Sequence, residues 1–137
     1  TIPPFLLSMV SKIFYNDSNK QHSFFFYIMR QIETQMNMAI RSLLSGGSTN
    51  WAGSNTMVTK NENNGNVSVF LHGNQIATIA NDFVAIYDGG YQSNTTKSRL
   101  NALLSEFRPH TRVFQKNYQW FISYAGKTFD FVSGSLV

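Results

Sequence analysis

Hydrophobic positions recur at two periods along this chain, and the change from one to the other organises it. Between about Ser23 and Leu44, the residues Phe25, Ile28, Ile32, Met36, Ala39 and Leu43 fall on one helical face. Gly46-Gly47 then ends the helix. From Asn66 the period becomes two. Val67, Val69 and Leu71 alternate with Ser68, Phe70 and His72, a strand that turns at His72-Gly73-Asn74. Ile76, Thr78 and Ala80 alternate with Ala77 and Ile79, Asn81-Asp82 makes a two-residue turn, and Phe83 to Tyr87 is a third strand. Helical spacing returns once, at Leu100, Leu103, Leu104 and Phe107, which predicts a helix over Thr95–Phe107 stopped by Arg108-Pro109. Strands follow at about Thr111–Gln115 and Gln119–Tyr124, joined through Lys116-Asn117. Ala125-Gly126-Lys127 then turns into Thr128–Val132, and Ser133 to Val137 is a tail with a short last pairing.

The pattern predicts an α+β fold: an antiparallel meander of about three strands, one covering helix, a further β-hairpin, and an N-terminal helix or arm. Residues 1–45 form that arm, 46–65 a Gly/Ser/Asn-rich linker, and 66–137 the α+β domain. Trp51 stands out in the linker and is expected to tuck onto the domain's edge. The apolar bursts Phe5–Val10 and Phe24–Met29 fall short of the ~20 residues a membrane span requires. Met36 or Met38 would serve as a start, so an alternative stays open in which residues 1–35 lie outside the native protein.

Composition adjusts this picture in three ways. Charged residues are only 13% of the 137, so Asn, Ser, Thr and Gln must cover the surface, and association is expected to be easy. A net charge of +4 permits an anionic partner without demanding one. The absence of cysteine excludes thiol catalysis, disulfides and Cys-based zinc sites.

Candidate chemistry begins at the central helix. Helix starts favour acids, yet the opening turn here carries Lys97 and Arg99 and no acid. One reading places an anion there, approached through Gly89-Gly90. The other has Asn94 or Thr95 capping the helix and both cations in water, with Asp88 as counter-charge. From Lys97 onward six cations (Lys97, Arg99, Arg108, Arg112, Lys116, Lys127) face two acids, Glu106 and Asp130, with aromatics interleaved. Arg112, Phe114 and Lys116 share one strand face, and Trp120, Ile122 and Tyr124 share another set. Backbone charge plus stacking platforms is what a single-strand binder needs. The nucleic-acid or anion candidates are therefore Lys97, Arg99, Arg112, Lys116, Tyr118 and Trp120; the competing reading has aromatic core and cationic rim. His22, His72 and His110 lie apart, the acids form no close pair, and no nucleophile elbow occurs. No catalytic, metal or cofactor residue is assigned.

A resemblance adds to this. Val69-Phe-Leu-His-Gly-Asn-Gln-Ile-Ala77, Asp88-Gly-Gly-Tyr91, Thr95-Thr-Lys-Ser-Arg-Leu-Asn-Ala-Leu-Leu104, Val113-Phe-Gln-Lys-Asn-Tyr-Gln-Trp-Phe121 and Phe129-Asp-Phe-Val-Ser-Gly134 occur in this order. As a set, over roughly Met38–Val137, they resemble a family of small uncharacterised proteins of tailed, cyanophage-like bacteriophages. The resemblance implies a viral gene, placed in the host cytoplasm or the virion, and supplies no activity. The function expected is a non-enzymatic accessory or protein-interaction role, with single-stranded nucleic-acid or anion binding as the alternative and a small enzyme last. The partner expected is another protein or a second copy, with nucleic acid the alternative and no membrane.

Overall fold

A computed structural model describes residues 18–137, with side chains from residue 30 onward. Helix α1 (Ser18–Leu44) comes first, and its Gly46 adopts φ +103°, a stop that only glycine takes easily. Five strands follow: β1 (Trp51–Gly53), β2 (Thr56–Lys60), β3 (Val67–Leu71), β4 (Asn74–Ile79) and β5 (Val84–Ile86). Helix α2 (Asn94–Phe107) leads into β6 (Thr111–Lys116), β7 (Gln119–Tyr124), β8 (Lys127–Asp130) and the two-residue β9 (Ser135–Leu136). The α+β class and the antiparallel pairing are as the pattern predicts. Phe25 and Ile28, and the burst at Phe5–Val10, lie outside the described side chains.

The strands form two antiparallel sheets. The larger runs β1-β2-β3-β4-β5-β9 and the smaller β6-β7-β8. The expected meander is β3-β4-β5, but it is the middle of a six-stranded sheet. The segment read as a linker supplies β1 and β2: Trp51 pairs with Val58, and Thr56 through Lys60 pair with Leu71 through Val67. At the other edge β9 returns to β5, with Ala85 opposite Leu136. The second β unit is a three-stranded sheet, one strand more than a hairpin.

One continuous core joins both sheets through α2. Leu100, Leu103 and Leu104 are fully buried, and Met36, Ile40 and Leu43 reach the same cluster from α1. Val58, Val69, Ile76 and Ile79 come from the large sheet; Val113, Trp120 and Ile122 come from the small one. Trp51 packs against this core from the edge strand, and its ring lies over Gly53, where a Cβ would come within 2.4 Å of it.

Candidate functional site

The start of α2 resolves both expected readings differently. Ser93 is the cap, its Oγ accepting from Thr96 N at 3.1 Å, in place of Asn94 or Thr95. Gly89 and Gly90 both take positive φ, 70° and 83°, and make the turn before the helix. Asp88 folds onto its own loop, its Oδ1 accepting from Gly90 N at 2.8 Å. Lys97 donates to Gln115 Oε1 at 2.9 Å, with its Nζ 6.0 Å from the Trp120 ring centroid. Arg99 leaves the candidate set: it is 1% exposed. Its Nη1 donates to Glu33 Oε2 of α1 at 2.8 Å, its Nε to Thr56 Oγ1 at 3.0 Å and its Nη2 to Asn55 Oδ1 at 3.2 Å. Ser98 Oγ also donates to Glu33 Oε2, at 2.5 Å. The counter-charge to Arg99 is thus Glu33, far back in the sequence, and not Asp88. A fork of five N–H donors is suited to three such acceptors on separate elements.

The register of the small sheet sorts the other candidates. Arg112 lies opposite Ser123, Phe114 opposite Phe121 and Lys116 opposite Gln119, so these residues share the solvent face. Phe114 and Phe121 stack there at 5.5 Å between centroids and 26° between planes. Arg112 and Lys116 are exposed beside them and join no ion pair among the described residues. Lys97, Asn101, Arg112 and Phe114 also line a shallow groove of about 440 Å³ between α2 and β6. Trp120 is a correction. It faces inward at 3% exposure, edge-on to Phe131 at 5.2 Å, and cannot stack on a base.

Tyr118 sits apart, at the tip of the β6–β7 hairpin, 95% exposed. Three hairpins here turn on two residues with positive φ. His72-Gly73 (51°, 78°) and Ala125-Gly126 (48°, 83°) put glycine second; Asn117-Tyr118 (52°, 64°) puts tyrosine there. Left-handed backbone at a bulky residue costs about 1–2 kcal/mol.

A cleft of about 610 Å³ lies between the small sheet and the β9 edge of the large one. Thr111 and Ile122 line it together with Tyr124, Phe129 and Leu136, which are 54%, 50% and 70% exposed. Asp82 and Asp130 line it too, and neither joins an ion pair among the described residues. Arg108, the remaining charge there, donates to Val137 O at 3.0 Å and to Phe107 O at 2.7 Å.

Residues 29–137 match the family model described as Kyanoviridae Gp96 protein. The chain belongs to this cyanophage protein family. No curated protein and no solved structure matches the chain. The Gp96 match begins before Glu33, Met36, Ile40 and Leu43, so the half of α1 that enters the core lies inside the family region. Sequence reading of this Gp96 chain missed Glu33, Thr56 and the cleft. Glu33 carried a signal: it neighbours Ile32 and precedes Met36 by three, an acid at the margin of an apolar stripe. The cleft carried none, because its walls come from β6, β7, β8, β9 and the turn before β5, whose meeting is set by tertiary packing. No described helix is long and apolar enough to cross a membrane. No group of three or more His, Asp or Glu gathers as a metal site among the described residues.

Proposed function

We propose that this phage protein is a non-enzymatic interaction protein that docks another protein in the cleft between its two sheets. The observation that carries this is the grouping of Tyr124, Phe129 and Leu136. Three large apolar side chains, each at least half exposed, share one concavity. Contiguous apolar surface of this kind marks interaction sites, and aromatic side chains filling a pocket are the usual anchors of such contacts. The test replaces Phe129 with a photo-crosslinking phenylalanine analogue in phage-infected cyanobacterial cells. Met57, 39% exposed on the large sheet, is the control position. Protein adducts form from position 129 and not from 57. Absence of adducts at 129, or equal labelling at both, overturns the reading.

A second reading is favoured by one specific observation, the solvent-facing Phe114–Phe121 stack flanked by Arg112 and Lys116. Stacking faces beside cations suit single-stranded nucleic acid. In that case a single-stranded oligonucleotide binds with strong salt dependence. Arg112→Glu and Lys116→Glu each lower the log–log salt slope by about 0.7 per lost contact. Binding that ignores salt, or no retention at low salt, removes it.

A further inference from the structure

We propose that the occupant of the cleft is a second copy of this chain, which inserts the Tyr118 tip of its β6–β7 hairpin; this rests on the cleft being a docking site. The hairpin tip is built at a cost that no packing among the described residues returns. Tyr118 holds φ +64° where the two comparable hairpins place glycine, and its side chain is 95% exposed, so the strained residue gains no packing. Strain kept at an exposed position points to a use outside the fold. The cleft offers what the tip lacks. Ile122, Tyr124, Phe129 and Leu136 supply apolar wall, and Asp82 supplies a carboxylate for Lys116, exposed two residues before Tyr118.

Tip and cleft do not meet within one chain: Tyr118 is 95% exposed, and the cleft residues Thr111 and Tyr124 stand at the ends of β6 and β7 away from the hairpin tip. The contact is therefore head-to-tail, and each copy keeps one free tip and one free cleft. Such a heterologous contact closes into a ring or continues as a filament.

Sedimentation of the purified chain over a dilution series tests this, with two variants. Tyr118→Gly removes the tip's side chain and relieves its backbone. Phe129→Asp spoils the cleft at a half-exposed position. Wild type associates with rising concentration, and each variant alone is monomeric. Mixed, the two form a one-to-one dimer that grows no further, because Tyr118→Gly still has its cleft and Phe129→Asp still has its tip. Tyr118→Gly also melts higher than wild type, by about 2–6 °C, which separates loss of contact from loss of fold. A monomeric wild type, or a mixture that stays monomeric, overturns the proposal. So does Tyr118→Gly if it keeps its association, or if it loses oligonucleotide binding and not mass. If position 129 still crosslinks a different protein in infected cells, the cleft reading stands and only the self-contact falls. If position 129 yields no adduct and Phe129→Asp associates like wild type, both fall.

Discussion

At the scale of single residues, Arg99 decides how the chain is tied together. It lies on the buried face of α2, just past the first turn, and its compensation is geometric. Three N–H groups reach α1, the β1–β2 turn and the first residue of β2. Removing one partner of a buried pair leaves the other charge without its compensation, at a cost of about 3–5 kcal/mol. Arg99→Ala is therefore expected to lower the urea midpoint sharply, and Glu33→Gln less, since the amide oxygen still accepts from Arg99 and Ser98. The double replacement Glu33→Leu with Arg99→Met costs less than the sum of its single changes, because neither charge remains to be buried alone. Additive effects in that cycle would show that the pair is not coupled. The same residue marks a limit of sequence reading. Arg99 is only five residues past Asn94, and local rules place it at a helix start with a bound anion or open water. Its partner lies on another helix, and no local rule reaches it.

At the scale of elements, legibility followed the density of the apolar signal. Helix α2 was plain because three leucines and a phenylalanine keep helical spacing, and its buried face is that stripe. Strand β3 was plain because inward Val67, Val69 and Leu71 recur at period two. Strand β2 was not. Its inward positions are Thr56 and Val58, and its outward ones Met57 and Thr59, so composition resembles a linker. Thr56 is buried at 1% exposure with its hydroxyl satisfied twice, accepting from Arg99 and donating to Asn55 Oδ1. The segment Asn61–Asn66 shows the opposite case, where polar composition does mean a loop. Asn61 Oδ1 accepts from Asn63 N at 2.9 Å and Gly65 turns at φ +76°. Strand β9 has two residues and no pattern of its own; pairing with β5 creates it. The nucleic-acid candidates divided for the same reason. Period two correctly put Arg112 and Lys116 on one face with Phe114. It could not say which face of the sheet α2 would cover, and so it left Trp120 available when the core takes it.

At the scale of the whole molecule, the two sheets share one core rather than holding a core each. Helix α2 lies at their junction, with Leu100, Leu103 and Leu104 in a cluster that takes in Val69 and Ile79 from one sheet and Val113 and Ile122 from the other. A shared core makes the sheets unfold together, because neither can keep its apolar face covered once α2 leaves. The chain's two tryptophans report on this separately: Trp51 lies in β1 of the large sheet and Trp120 in β7 of the small one. In Trp120→Phe the fluorescence follows only the large sheet, and in Trp51→Phe only the small. In each variant the fluorescence midpoint in urea coincides with the midpoint by far-ultraviolet circular dichroism, the mark of a single transition. Leu103→Ala, by opening a cavity at a fully buried position, lowers both midpoints together and costs about 2–5 kcal/mol. A small-sheet signal that melts before the circular dichroism would show the β6–β8 unit coming away by itself. The cleft between the sheets would then be a hinge, and a partner seated in it would hold two moving parts rather than fill a preformed site. Coincident transitions instead fix the walls of the cleft relative to each other, as docking of a rigid hairpin tip requires.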